Sequence, residues 1–186
     1  MLVREIDTVL LATSVLAKPG EALAEEVTAY FDQLRYPLLR YLGSFGLHAH
    51  DAEEVTQDVF LALFEHLRRG GARTNLRSWI FRVAHNLGLR RCHRRRAEAK
   101  LFAGEEAAQV RFDPAPNPEE RWYRRQRQTR LLAVVEALPE QDRRCLYLRA
   151  EGLRYREITT VLGMSLGAVA LSLSRTLARL SRADGR

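Results

Sequence analysis

The chain has 186 residues, of which 46% are hydrophobic, and this length accommodates one globular domain or two small ones. Its net charge of +7 comes almost entirely from arginine, because Lys18 and Lys100 are the only lysines, and it favours a nucleic acid over an anionic membrane or an acidic protein as partner. No apolar run reaches the roughly 18 residues that a membrane-spanning helix needs. The two cysteines, Cys92 and Cys145, lack the spacing of metal ligands. We therefore expect a cytoplasmic protein without a metal or other cofactor.

The first 20 residues superficially resemble a signal peptide. However, Asp7 interrupts the apolar run Ile6–Leu16, and no convincing small-residue cleavage site follows it. We therefore interpret residues 1–25 as a tail or an extra helix in front of the first domain.

Two helices are predicted in the next part of the chain. Apolar residues recur at helical spacing over Glu26–Leu42, although Pro37 within this stretch is expected to bend or split the helix. The second helix is predicted to begin at Asp51, an N-cap that forms a capping box with Glu54, and to end at the pair Gly70-Gly71.

A third helix is predicted over Leu76–Glu98, after a short loop. Its apolar stripe is expected to face inward and comprises Leu76, Trp79, Ile80, Val83, Ala84 and Leu87. Its outward or edge positions are expected to be Arg82, His85, Asn86, Leu89 and Arg90. Residues 26–98 thus form the first predicted domain.

Residues 99–117 lack helical periodicity and contain a glycine and two prolines, so they are interpreted as a linker. Helix is predicted to resume at Pro118, with Asn117 as its cap. The helices predicted in the second domain, residues 118–186, are Pro118–Ala137, Gln141–Ala150, Tyr155–Leu162 and Leu166–Ser181. Because no strand-like alternation occurs, the predicted fold class is all-α, with two small helical domains joined by a linker.

The last two predicted helices have the spacing of a helix-turn-helix, with Gly163 at the turn, small Thr159 in the first helix and buried Val169 in the second. Ser165 is placed to cap the second helix. The predicted core face of that helix is Leu166, Val169, Leu173, Leu177 and Leu180, and the opposite, exposed face is Ser172, Arg175, Arg179 and Arg182. A helical pair without a DNA role is the alternative, but three arginines on one face favour DNA.

Charges are segregated along the first domain. Five acidic residues and no lysine or arginine occur between Asp51 and His66, whereas ten arginines and no acidic residue occur from Arg68 to Arg96. Either the two faces pair with each other within the helical bundle, or they bind two partners, a protein on the acidic face and DNA phosphates on the basic one. Five arginines within Arg90–Arg96 favour the second interpretation, because like charges repel along a helix unless an anion neutralises them.

Three runs of this sequence resemble the extracytoplasmic-function (ECF) sigma factors of bacterial RNA polymerase, in the order of that family. The resemblance is to the polymerase-binding helix in DAEEVTQDVFLALF, to the promoter-melting helix in RSWIFRVAHNLGLRR, and to the C-terminal helix-turn-helix domain in ALPEQDRRCLYLRAEGLRYREITTVLGMSLGAV. It covers most of Glu26–Ser181 and implies a non-enzymatic transcription initiation factor. The implied partners are core RNA polymerase and promoter DNA, with an anti-sigma factor as a further candidate.

The resemblance implies two binding surfaces in the first domain. The polymerase clamp helices, which offer cations, are expected to contact Glu54, Gln57, Asp58 and Leu61. The loop Gly70–Asn75 is expected to hold a base flipped from the unwound minus-ten element. The residues expected to bind minus-ten DNA are Asn75, Arg77, Ser78, Arg82, His85, Asn86, Arg90, Arg91, Arg94 and Arg95. Among these, the arginines of the run 90–96 are expected to hold duplex phosphates, and Trp79 nearby is expected to pack in the core rather than on a base.

In the second domain the resemblance implies contacts to the minus-thirty-five element from Tyr155, Arg156, Ser165, Ala168, Ser172, Arg175 and Arg179. The family commonly has Gly-Thr-Val, then Arg or Lys and soon a second Arg, where this chain has Gly167-Ala168-Val169-Ala170-Leu171-Ser172. We therefore expect weak base discrimination by this helix, with Arg175 and its neighbours on phosphates, or a protein contact at Leu171.

Two other functions account for less of the sequence. A helix-turn-helix regulator that does not join the polymerase explains the C-terminal half, but it leaves the acidic and basic faces of the first domain without a purpose. A metal-dependent nuclease would need ligands such as Glu53, Glu54 and Asp58, but Glu54 and Asp58 are already assigned to a helix cap and an exposed face.

Overall fold

The computed structural model of the protein describes residues 19–101 and 118–185, and these residues are almost entirely helical. Within them the chain forms seven helices and no strands, namely α1 (Pro19–Gly43), α2 (Ala49–Arg68), α3 (Leu76–Leu101), α4 (Pro118–Glu136), α5 (Glu140–Ala150), α6 (Tyr155–Leu162) and α7 (Leu166–Asp184). The all-α prediction is confirmed. Most of the predicted N-terminal tail and of the predicted linker lies outside the described residues, although α1 begins seven residues before its predicted start.

Helices α1 to α3 pack around an aromatic core. Tyr41 is fully buried, and its ring centroid lies 5.3 Å from that of Phe45 and 5.7 Å from that of Phe81. Such edge-to-face pairs add stabilisation beyond the buried area. Gly88 allows α3 to approach α1 closely, because a Cβ at this position would lie 2.9 Å from Cδ2 of Leu42.

Helix α1 continues through Pro37 as one helix, so the alternative of a split at this residue is wrong. Leu34 and Leu38 on either side of the proline are almost completely buried. The burial of these two side chains on the same domain core offsets the backbone hydrogen bond that the proline removes.

Helix α2 begins at Ala49, two residues earlier than predicted. His48 is its N-cap and makes no side-chain cap hydrogen bond, so the predicted capping box of Asp51 and Glu54 is wrong. Both carboxylates bind Arg91 on α3 instead, because α3 crosses the start of α2. The predicted end of α2 is confirmed.

Helix α3 buries a wider stripe than predicted. Phe81 is 0% exposed and His85 is 7% exposed, so the expectation that His85 lies outward is wrong. The reason is that α3 contacts α1, α2 and α6, and a helix covered on several sides buries more than one stripe.

The predicted helix-turn-helix is formed by α6 and α7. Gly163 between them has a left-handed φ of 67°, which glycine adopts without strain. Ser165 caps α7 as predicted, since its Oγ accepts a hydrogen bond of 3.2 Å from the backbone amide of Ala168. Val169 is fully buried, also as predicted.

The buried face of α7 is rotated relative to the prediction. Two predicted core residues are substantially exposed, namely Leu166 and Leu177. Two residues that were not predicted to lie in the core are buried, namely Ser172 and Thr176. The cause is that α5 packs against the Ser172 side of α7, where Asp142 of α5 accepts a hydrogen bond of 2.7 Å from the Ser172 hydroxyl.

The two helical domains pack against each other through α3 and α6. Buried apolar residues from both domains, for example Ala84 of α3 and Ile158 of α6, belong to one continuous core. The described helices therefore form a closed arrangement in which the second domain covers part of α3.

No single helix in the described ranges is both long and apolar enough to cross a bilayer. Helices α6 and α7 reach the required length and hydropathy as a pair, and their axes are bent by 107° at the turn between them.

Candidate nucleic-acid and protein interfaces

Three residues predicted to bind polymerase lie together on the outside of α2. Gln57 and Asp58 are exposed, and Leu61 has 63% of its surface exposed. Side chains three and four residues apart on a helix are neighbours, so the three form one surface, the α2 outer surface. It combines a negative charge, an amide and an apolar side chain.

Glu54, the fourth residue predicted to bind polymerase, is held within the domain. Nε of Arg91 donates a 2.7 Å hydrogen bond to Asp51, and its Nη2 contacts Glu54. The hydrogen bond that Arg91 donates to Asp51 and the negative charges of both carboxylates raise the pKa of Arg91 above its ordinary value. His50 also lies 3.1 Å from Glu54. For these residues, pairing of the two charged faces within the bundle is the correct interpretation.

Of the remaining arginines in the run 90–96, Arg96 contacts Glu140 of α5, and the other three divide into two groups. Arg95 is held within the domain, since it donates a 3.1 Å hydrogen bond to the carbonyl of Gly46 and lies 2.7 Å from Nε2 of His48. Arg90 and Arg94 are exposed on the outer side of α3. The phosphate-binding prediction therefore applies most directly to these two exposed side chains.

A surface cavity of about 400 Å³ opens beside the turn between α2 and α3. Its lining residues are Ala62, Glu65, His66, Arg69, Gly70 and Gly71. The His66 ring stacks on Trp79 with centroids 4.6 Å apart, and a Cβ on Gly71 would lie 2.3 Å from that ring. The predicted base-holding loop contributes its two glycines, whereas the α2 residues were missed because a sequence does not show which helical face borders a turn.

The residues predicted to bind minus-ten DNA at the start of α3 differ in accessibility. Asn75, Arg82 and Asn86 are exposed. Ser78 and His85 are 4% and 7% exposed, so in this arrangement they do not reach a DNA strand.

His85 instead takes part in a buried polar pair. Its Nδ1 lies 2.8 Å from the hydroxyl of Tyr41. Burial lowers the pKa of His85 to about 4, with a further contribution from the positive charge of Arg144 on α5. Burial also raises the pKa of Tyr41. Both side chains are therefore uncharged near neutral pH, and Arg144 lies over the neighbouring Phe45 ring at 4.7 Å from its centroid.

The helix-turn-helix exposes most of its predicted DNA-binding residues. Tyr155, Arg156, Arg175 and Arg179 are exposed, Ala168 is half-buried, and Ser165 is used as the α7 cap. Ser172 is 1% exposed, so the expectation that it lies on the outer face of α7 is wrong.

Asp142 is a residue that sequence reasoning missed. It is 7% exposed, and the Ser172 hydroxyl and Arg175 Nη2 both donate to its Oδ1, at 2.7 and 3.4 Å. An acidic residue in the first turn of a helix is already explained by its favourable interaction with the helix dipole. The position of Asp142 in the sequence therefore gave no reason to expect a side-chain partner. The hydroxyl of Ser172 next to the apolar stripe of α7 was the one hint of a buried polar contact.

Polar contacts join the two domains at the edge of their shared core. Nε and Nη2 of Arg40 each donate a 2.8 Å hydrogen bond to the carboxylate of Glu151, and Arg77 donates to the Glu151 carbonyl. Arg96 donates a 3.0 Å hydrogen bond to Glu140. Arg77, predicted to bind minus-ten DNA, is therefore engaged by the second domain.

Two protein-family models match the chain, one in each half. The model of Sigma-70 region 2 matches residues 27–98, and the model of Sigma-70, region 4 matches residues 128–180. The first match covers α1 from Val27 onwards, all of α2 and most of α3, and the second covers the second half of α4, all of α5 and α6 and most of α7.

Similar proteins are named as sigma factors of RNA polymerase. The chain is 34% identical over 127 residues to "ECF RNA polymerase sigma factor SigE" of Mycolicibacterium smegmatis, a match that covers 68% of this chain and 49% of the relative. It is 30% identical over 145 residues to "RNA polymerase sigma factor CnrH" of Cupriavidus metallidurans, covering 74% and 75%. The chain thus spans about half the length of the first relative and three quarters of the second.

The fold is also similar to that of solved sigma factors. The sigma factor RpoE in complex with the anti-sigma factor NepR, from Bartonella quintana, superposes with a TM-score of 0.64 at 19% identity, covering 83% of this chain and 96% of that one.

Proposed function

The chain belongs to the ECF family of RNA polymerase sigma factors, and we propose that it binds core RNA polymerase, recognises and melts promoter DNA, and so initiates transcription. The observation that carries the proposal is the α2 outer surface. There the exposed side chains of Leu61 and Asp58 lie next to each other, on a helix within the region 2 match. The protein would act in the cytoplasm, with no cofactor and no catalytic activity of its own.

The α2 outer surface supports polymerase docking on physical grounds. Burying a leucine side chain completely contributes about 2 kcal/mol, and most of Leu61 is still available for a partner to cover. Asp58 beside it supplies the negative charge that complements a cationic clamp helix. Glu54 contributes less than the sequence suggested, because Arg91 already binds it.

Replacing Asp58 by Lys together with Leu61 by Ala tests this surface. We expect at least tenfold weaker binding of core polymerase in gel filtration and titration, with unchanged helical circular dichroism, because both side chains are exposed. Glu25→Lys is the matched control, since it reverses an exposed charge on α1 outside the surface. An undiminished complex with the double variant would place polymerase docking elsewhere.

For the minus-ten element we propose that the cavity beside Gly70 and Gly71 receives the flipped base. The cavity is large enough for one nucleobase and adjoins the stacked rings of His66 and Trp79. Arg82 and Asn86 lie exposed on α3 nearby in sequence and are suited to follow the unwound strand. Asn86→Ala is then expected to weaken the dependence of transcription on the identity of the minus-ten bases.

The closed arrangement of the two domains differs from the arrangement that a promoter requires. The two promoter elements are centred about 25 base pairs apart, which is roughly 85 Å at about 3.4 Å per base pair. A compact chain of this length has a radius of gyration of only about 16 Å. The residues between Leu101 and Pro118 can span at most roughly 55 Å. The two domains therefore reach both promoter elements only when they separate from each other and this connection is extended.

An anti-sigma factor is the further partner that we propose. The support is the likeness in fold to the Bartonella RpoE, which was solved bound to the anti-sigma factor NepR. A protein that binds both domains of this chain at once would prevent the separation that a promoter requires.

In vitro transcription with core polymerase and a genomic fragment library tests the function as a whole. We expect a small set of start sites that depend on the added chain. Specific DNA binding without polymerase binding would instead support the alternative, a helix-turn-helix regulator that is not a polymerase subunit.

A further inference from the structure

Helix α7 presents one arginine that is held by a buried carboxylate from another helix. Asp142 of α5 is 7% exposed, and its Oδ1 accepts the Ser172 hydroxyl at 2.7 Å and Arg175 Nη2 at 3.4 Å. The Arg175 side chain nevertheless keeps 56% of its surface exposed. The contact therefore restrains the guanidinium while leaving it accessible to a ligand.

We propose that Asp142 is a positioning residue and that the arginine it orients, Arg175, reads a guanine in the upstream promoter element. The inference rests on the proposed function and specifies which DNA group the helix-turn-helix recognises. It replaces the expectation from the sequence that Arg175 reaches only backbone phosphates.

The direction of the Arg175 side chain supports contact with bases. Ser172 lies one turn before Arg175, and both side chains meet the same carboxylate oxygen. The guanidinium is thus drawn back over the turn that contains Ser172, towards the start of α7, as helical geometry favours. The first turns of a recognition helix are the part that contacts base edges in the major groove.

The carboxylate also changes which DNA group suits the arginine. A guanidinium beside a negative charge is partly neutralised, so its non-specific attraction to phosphate is reduced. Its planar donors still match the O6 and N7 acceptors of guanine. In contrast, the neighbouring side chains Ala168, Ala170 and Leu171 offer no hydrogen bond to a base.

A buried carboxylate needs hydrogen-bond donors, and this requirement fixes the position of the Asp142 side chain. An unpaired charge in the protein interior is strongly destabilising. Ser172 donates to Asp142 from within the core, which anchors the carboxylate independently of Arg175. The Arg175 guanidinium therefore meets an acceptor that is already held in place before DNA is bound.

Asp142→Asn tests the proposal, because it keeps the shape and an acceptor for Ser172 but removes the charge. Holoenzyme made from core polymerase and the full chain is used to select promoters with a randomised upstream element. We expect the wild-type protein to prefer guanine at one position, and the variant to lose about tenfold of that preference. Its affinity for non-cognate duplex should stay equal or rise, with a log–log salt slope steeper by up to about one.

Three further variants separate positioning from structure. Ser172→Ala removes the hydroxyl that anchors the carboxylate but keeps its charge, so it should lose a smaller part of the guanine preference than Asp142→Asn. Arg175→Lys retains the charge but not the planar donor fork, so it should lose the preference while binding non-cognate DNA normally. Arg179→Ala, at an exposed arginine one turn further along α7, should weaken binding to all sequences alike.

The proposal is overturned if the Asp142→Asn protein keeps its guanine preference. It is also overturned if this variant loses affinity for every sequence equally and its helix-turn-helix melts at a lower temperature, which is the signature of a structural role. If the wild-type chain does not bind core polymerase, the proposed function fails, and the same selection is done with the full chain alone. Absence of a guanine preference in both formats rejects the role of Arg175.

Discussion

The two helical domains bury different kinds of side chain. The core of α1 to α3 contains four aromatic side chains, Tyr41, Phe45, Phe60 and Phe81. Over residues 126–185 no aromatic side chain is buried, and the buried set includes three polar residues, Asp142, Ser172 and Thr176. The first domain also buries polar side chains, namely Ser44, Thr56, Ser78 and His85, so the two domains differ mainly in the aromatic content of their cores.

This difference indicates which domain is self-sufficient. An aromatic side chain buries roughly 150–250 Å² and dominates the energy of a small core. The first domain carries such a core together with the α2 outer surface, so it can present that surface as a rigid unit. The second domain gains part of its stability by docking α6 on α3. Its release for DNA binding exposes the part of the shared core that lies between α3 and α6, and a partner must offset this cost.

The largest expected effect is in the aromatic core. Phe81→Ala should lower the free energy of unfolding of the first domain by about 3–5 kcal/mol, because Phe81 is fully buried between α1 and α3. Leu148→Ala, at a fully buried leucine in α5, is the matched variant and should cost less, about 2–3 kcal/mol, and unfold only the second domain. Urea unfolding followed by circular dichroism measures both, and a larger loss for Leu148→Ala would reverse the comparison.

The next effect is a pH dependence of the first domain. The pKa of His85 is about 4 in the folded chain, below the ordinary value of 6.5, so between these two pH values the unfolded chain binds a proton that the folded chain does not. Above pH 6.5 His85 does not reduce the free energy of unfolding. As the pH decreases from 6.5 through 4, this free energy falls by about 3 kcal/mol. His85→Gln retains a hydrogen-bonding group for Tyr41 but cannot titrate. Its unfolding free energy should vary less over this pH range, and an equal variation would exclude His85 as the cause.

A smaller effect is expected at the contact between the domains. Glu151→Gln removes the charge that binds Arg40 and should destabilise the second domain by about 1 kcal/mol, since Arg40 is largely exposed. The closed arrangement should also open more often, which increases the radius of gyration in small-angle X-ray scattering. Glu65→Gln is the control, because Glu65 pairs with Arg68 within one helix. Equal scattering from both variants and the wild type would show that the Glu151 contact does not hold the domains together.

The smallest effect on stability is expected at the exposed arginines of α3. Arg94→Ala should change the unfolding free energy by less than about 0.5 kcal/mol, yet lower the log–log salt slope of promoter binding by about one. Arg91→Ala should instead lower the unfolding free energy and leave the salt slope almost unchanged, because it removes the mostly buried guanidinium that binds both Asp51 and Glu54. Titrations at several salt concentrations distinguish the two, and equal slopes would contradict the division of the basic run.

The sequence by itself determined the helices, the helix-turn-helix and the family. These features depend on local rules, namely apolar spacing along each helix, the left-handed glycine at Gly163 and the Ser165 cap. The motifs of the two sigma regions are likewise contiguous runs, so they are visible without any knowledge of packing.

Only the tertiary structure decided which polar side chains are available to a partner. His85 lies in the core because α3 is covered on more than one side, and Ser172 is buried because α5 packs on that side of α7. Arg91 is bound rather than free because α3 crosses the start of α2, where Asp51 and Glu54 stand. Each outcome depends on the relative placement of helices far apart in sequence, and helical periodicity within one segment carries no information about how many neighbours that segment will have.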